Sequence, residues 1–118
     1  MQFMLLIYAE EKVYDALPPA QLAEVMAAYG ALENAMLKAG VLVAGAELAP
    51  VRKARTVRIR RGQPHFTDGP FAETKEALGG YFLIDCASMD DALEWAARCP
   101  TALDGCVEVR PLASPPAA

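Results

Sequence analysis

The densest run of ionisable side chains follows a tight turn, in Thr67-Asp68-Gly69-Pro70-Phe71-Ala72-Glu73-Thr74-Lys75-Glu76. Asp68 and Glu73 are close enough in sequence to converge on one pocket, and Lys75 could hold a carboxylate ionised or orient an anionic substrate. Pro70 restricts the connection between them. Asp68, Glu73 and Lys75 are therefore the candidate catalytic residues, suited to acid/base or electrostatic work. The same residues also fit a plainer role. Asp68 would then bond its own turn backbone, Phe71 would plug the core, and Glu73, Lys75 and Glu76 would form a solvated patch. A second set suits binding. Arg58 and Arg60 share one strand face with Arg52 nearby, and paired guanidinium forks take up a carboxylate or phosphate, although a solvated face paired to neighbouring acids is the alternative. Tyr8, Tyr29 and Tyr81 read mainly as core, yet each has a hydroxyl that could line a cleft.

Other chemistries lack their parts. His65 is the only histidine, so a His-based metal cluster or a Ser/His triad within one chain would have to include it. Its place in a hairpin strand, with no orienting acid in view, suits a surface or half-buried side chain. Cys86, Cys99 and Cys106 are odd in number and match no zinc or disulfide spacing, so reduced and mostly buried thiols are expected. Cys99 has no base beside it and falls at a helix C-terminus, where the dipole opposes a thiolate. No metal and no cofactor are expected.

The 15 acidic and 11 basic residues give a net charge of −4 and a pI near 4.9, which argues against nucleic acid or an anionic membrane as a general partner. Six of the eleven basic residues fall between Arg52 and Arg61, so the charge is uneven. No apolar run is long enough to cross a bilayer, and Met1 leads directly into a strand pattern, so the cytoplasm is the expected location. A length of 118 residues suits one domain, placed at 1–112, with 113–118 a disordered tail marked by Pro115 and Pro116.

These candidate residues need elements to hold them. Phe3 to Tyr8 is apolar on both parities and reads as a central strand that must be covered on both faces. After a polar stretch in which Asp15 could act as a cap, Pro18 and Pro19 suit a first helical turn. From Gln21, the positions Leu22, Val25, Met26, Tyr29, Leu32 and Met36 follow the spacing of a helix with one buried stripe, ended by Lys38 and a left-handed Gly40. Val41 to Val43 predicts a strand, with Gly45 allowing a bend or bulge. Thr56 to Arg60 alternates, Arg61-Gly62-Gln63-Pro64 is a turn, and His65 to Thr67 returns as a short strand. Tyr81 to Ile84 is again apolar on both parities. Ser88 opens a second helix that Pro100 stops, and Val107 to Arg110 is the last strand. The order suits an α+β fold: a ferredoxin-like sheet with two helices on one face and a β-hairpin insertion. Two helices can cover only one sheet face. A symmetric homodimer through the opposite face is expected.

Six segments carry a resemblance, in order, over roughly nine tenths of the chain. They are M-L-L-I-Y, V-L-V-A-G, D-G-P-F-A-E-T-K-E, G-G-Y-F-L-I-D, A-L-E-W-A-A-R-C-P and V-E-V-R-P. Together they resemble the YCII-related family, and D-G-P-F resembles its DGPF branch. The resemblance implies an α+β dimer in the style of the dimeric α/β barrels, whose fold relatives include lactone isomerases and dehydrochlorinases. It also implies a sigma factor of the extracytoplasmic type as a partner. The wider family is associated with a His/Asp pair, and the matching positions here are Gln21 and Cys99. Neither could relay a proton as that pair would. The expected function is thus a small-molecule site, enzyme or binder, in the cleft between the sheet and the first helix, bordered by the D-G-P-F-A-E-T-K-E loop. Tyr8, Gln21, Arg58, Arg60 and Tyr81 are the expected substrate contacts, with a small anionic molecule as the ligand. The alternative is a regulatory protein without catalysis.

Overall fold

The structure, a computed structural model, describes residues 1–113. The tail expected from Ala113 lies, from residue 114 on, outside the described residues. Six strands and three helices form in the order β1 (Gln2–Ala9), α1 (Glu11–Asp15), α2 (Pro19–Lys38), β2 (Leu42–Glu47), β3 (Arg55–Arg60), β4 (Gln63–Asp68), β5 (Ala77–Asp85), α3 (Met89–Ala97) and β6 (Cys106–Pro111). Strands β2, β5, β1 and β6 make one antiparallel sheet in that order, and β3 with β4 makes a separate hairpin. This is the expected α+β, ferredoxin-like arrangement.

The alternation of β1 decides which face is dry. Phe3, Leu5 and Ile7 are buried, and their neighbours Ile84 and Phe82 on β5 point the same way. Leu32 and Met36 of α2 and Ala92 and Ala96 of α3 close over them, so both long helices lie on one side of the sheet. Met4, Leu6 and Tyr8, with Leu83 and Tyr81 opposite on β5, form the other face and are half-buried. A strand apolar on both parities thus has helices on one side only.

Several local expectations shift. β2 runs on to Glu47, and its register irregularity falls between Leu42 and Ala44. Gly45 lies inside the strand because a Cβ there would sit 2.7 Å from the Phe82 ring. β5 begins at Ala77 and contains the glycine pair, since a Cβ on Gly80 would come within 2.9 Å of the Ala46 carbonyl. The polar stretch after β1 forms the one-turn α1, too short to show periodicity. Pro18 occupies the N-cap of α2 without a side-chain bond, so Asp15 does not cap that helix. Other signals act as read. Ser88 Oγ accepts the Asp91 N–H at 3.2 Å, and Gly40 takes φ +71° after α2. The hairpin turn narrows to Arg61 and Gly62, with φ 52° and 76°, the backbone of a two-residue primed turn.

The hairpin stands apart. The Cα radius of gyration is 16.3 Å, against roughly 13.5 Å expected for a compact chain of this length. Cross-strand register puts Val57 beside Phe66 and Ile59 beside Pro64 on one hairpin face, and Arg58 beside His65 on the other. The apolar face is open, with Val57, Ile59 and Phe66 at 57%, 60% and 66% exposure.

Candidate functional site

A cavity of about 400 Å³ lies between α2 and the helix-facing side of the sheet. Glycines make the room: Gly45 and Gly80 stand at helix-facing positions, and Gly79 falls where the β1 and β5 register slips. Met26 and Tyr29 of α2 form its roof, Ile7 and Phe82 its apolar floor, and Tyr14 and Asp15 of α1 one side. The first half of α2 therefore overhangs space, which explains why Leu22 and Met26 of the expected buried stripe are 40% and 50% exposed while Leu32 and Met36 are fully packed.

One buried polar residue organises the wall. Thr101, 3% exposed, follows the helix-stopping Pro100 in a 3₁₀ turn over Pro100–Leu103. Its Oγ1 lies 2.6 Å from the Tyr29 hydroxyl and 2.9 Å from that of Tyr14. Tyr14 in turn donates to Asp104 Oδ1 across a longer 3.4 Å. A carboxylate only accepts, so the single proton of Tyr14 points at Asp104. Thr101 must then donate to Tyr14, and Tyr29 to Thr101. The three hydroxyls form a directed chain from Tyr29 to Asp104. Desolvation raises the pKa of both tyrosines, against the Thr101 hydrogen bond, so both phenols are neutral near pH 7. Glu11 of α1 accepts the Val51 N–H at 3.1 Å and ties that helix to the segment beyond β2.

The residues expected from the sequence lie in five places, Gln21 at the start of α2 among them. Tyr81 borders the cavity through its backbone carbonyl beside Gly45, while its side chain is on the opposite sheet face with Leu6. Tyr8 is on the opposite sheet face, where its hydroxyl reaches Glu108 at 3.4 Å. Arg58 and Arg60 are exposed on the polar hairpin face. Asp68 ends β4 and pairs with Arg55 at 3.1 Å, both exposed, while Thr56 and Ala54 hold the Gly69 backbone. Glu73 and Lys75 are exposed on the loop that runs into Ala77, itself a cavity-lining residue. Glu73 and Lys75 do not line the cavity, and the eight expected residues do not converge on one point. Among the described residues, no three of His, Cys, Asp and Glu gather as a metal site, and no helix is long and apolar enough to cross a membrane.

The family model of the YCII-related domain matches residues 1–114. The chain belongs to the YCII-related family. It is also 42% identical over 115 residues to an uncharacterized protein of Rhizobium meliloti (strain 1021), covering 96% of this chain and 93% of that one. In this YCII-related chain the two positions matched to the His/Asp pair differ in setting. Gln21 is exposed in the first turn of α2. Cys99 is 1% exposed, and burial pushes its thiol from 9.0 up to about 11. Such a thiol is inert at neutral pH. Cys86 is half-buried and Cys106 exposed, so burial of the thiols is not uniform.

Tyr14, Thr101 and Asp104 were not legible as site residues. Tyr14 sits in a stretch that reads as polar linker, and Thr101 follows a helix stop. The sequence offers one weak signal, a hydroxyl residue placed directly after Cys99-Pro100, where the chain turns back beneath the sheet.

Proposed function

We propose that this YCII-related protein binds a small molecule in the cavity between α2 and the sheet, with Tyr29, Tyr14 and Thr101 presenting the polar contacts. The observation that carries this reading is the cavity itself: about 400 Å³ walled by a directed row of hydroxyls, within the range of ligand pockets and of their largely apolar, sparsely polar lining. The loop bearing Asp68, Glu73 and Lys75 borders the mouth through Ala77, a border role that leaves the polar contacts inside to other residues. Gln21 and Tyr8 lie on surfaces a partner or ligand tail would meet. Arg58 and Arg60 are the proposed place for any anion, outside the cavity. A thermal-shift screen of mixed small metabolites tests the reading. Hits should raise the melting temperature of the wild type and lose most of that effect in Met26→Trp, which narrows the roof. Hits that act equally on both proteins would refute it.

A second reading, an interaction protein, draws on the open hairpin face of Val57, Ile59 and Phe66. We propose a homodimer formed through the half-buried face of Met4, Leu6 and Leu83, with the hairpin reaching over the partner. A contact of standard size, about 800 Å² per partner, would cover that surface. A cytoplasmic setting, supported by three free cysteines, suits either reading. A sigma factor is the regulatory partner that the family resemblance suggests, and it would compete for the same open surface. Sedimentation at micromolar concentration should give twice the monomer mass, and a monomer there would end the dimer proposal.

A further inference from the structure

We propose that the cavity selects a ligand carrying a protonated amine on a compact apolar body; this rests on the small-molecule reading above and names its substrate class. Two independent features point that way. The first is the hydrogen-bond chain. Tyr29 donates to Thr101, Thr101 to Tyr14 and Tyr14 to Asp104, so every hydroxyl proton in the wall is already committed. What remains toward the cavity is lone pairs. A ligand there must supply donors, and an ammonium group has three and accepts nothing. A carboxylate or phosphate would meet acceptors only and would have to break the chain to bind.

The second feature is charge. Glu11, Asp15, Glu33 and Glu47 line the cavity, and no Lys, Arg or His does. These carboxylates come from three elements, α1, α2 and β2. They are at the rim, where solvent weakens each of them, yet all act with one sign on whatever enters. The floor of Ile7 and Phe82 and the roof of Met26 then ask for an apolar body. The arginines of the hairpin face lie on a separate sheet and do not line this cavity.

The test uses three probes of equal body at pH 7: hexylamine, 1-hexanol and hexanoate. Amide shifts of Gly45, Gly79 and Gly80 report occupation of the floor. The ammonium should bind roughly tenfold more tightly than hexanoate, with the alcohol between, and added salt should weaken the ammonium alone. Glu33→Gln with Glu47→Gln should reduce the hexylamine affinity toward that of hexanol while leaving hexanol unchanged; the salt titration on wild type carries the same information should that variant not fold. Hexanoate binding as tightly as hexylamine, with the glycine shifts present, would overturn the amine preference and leave the small-molecule site standing. Glycine amides that respond to none of the three would overturn both.

Discussion

Strands β1 and β3 each present an apolar face, Phe3, Leu5 and Ile7 on one and Val57 and Ile59 on the other, and the two faces meet opposite fates. In β1, Phe3, Leu5 and Ile7 are buried under α2 and α3; in β3, Val57 and Ile59 are more than half exposed. The difference lies outside the strands. β1 is central in a four-stranded sheet with helices on one side, whereas β3 has one neighbour and no helix against its apolar face. Alternation marks a face that prefers to be covered, and what covers it must come from elsewhere in the chain or from another molecule. An isolated two-stranded ribbon is marginal in water, so an open hairpin of this kind argues for a cover from outside the protomer.

The comparison is sharpest where core and arm are cut alike. Leu5→Ala should cost about 2 to 5 kcal/mol in denaturant unfolding, because the side chain is fully buried and its neighbours are fixed by sheet and helices. A loss below 1 kcal/mol would mean the helix layer collapses readily and is not the rigid side. The alkaline limb gives the next effect. The Cys99 pKa is raised by burial from 9.0 to about 11, so the unfolded chain releases that proton first. Stability is therefore full below pH 9 and falls as pH rises toward 11, by roughly 2 to 3 kcal/mol from this group. Tyr14 and Tyr29 shift in the same direction and extend the fall. Cys99→Ala should flatten the profile between pH 9 and 10; an unchanged slope would place the cause elsewhere.

Smaller effects separate the cavity wall from the loop. Thr101→Val strips the partner from two half-buried tyrosine hydroxyls and should cost about 1 kcal/mol, while lowering the apparent pKa of neither tyrosine in an ultraviolet titration. A lowered tyrosine pKa would contradict the pKa-lowering effect of the Thr101 hydrogen bond on both phenols. Val57→Ser with Phe66→Ser should leave protomer stability within about 0.5 kcal/mol yet shift sedimentation toward monomer. Glu73→Ala and Lys75→Ala should each change stability by no more than about 0.5 kcal/mol, as exposed loop residues do; a larger loss would make that loop structural.

How far the sequence spoke follows the same division. Elements announced by short-range physics were legible: the two-sided apolarity of Phe3 to Tyr8, the Ser88 cap, the Gly40 turn and the hairpin around Gly62. The sheet order followed from placing two helices between strands. What escaped depended on contacts between distant segments. The strand expected at Tyr81 to Ile84 starts earlier, at Ala77, and includes Gly79 and Gly80, because nothing local reveals that Ala46 passes 2.9 Å from where a Gly80 Cβ would be. The ionisable loop drew attention because charges cluster in sequence there. The cavity wall is built instead from Tyr14, Tyr29 and Thr101, one residue from each of three separated stretches, with Asp104 behind Tyr14, and no spacing rule joins them.

Crystals soaked in a mixture of small amines, alcohols and carboxylic acids test the central assignment most directly. Bound density is expected between α2 and the sheet, within hydrogen-bond distance of the Tyr29 hydroxyl and over Gly45 and Gly80. Ligand density confined to the hairpin arginines or the 69–76 loop, with the cavity holding only water, would contradict it.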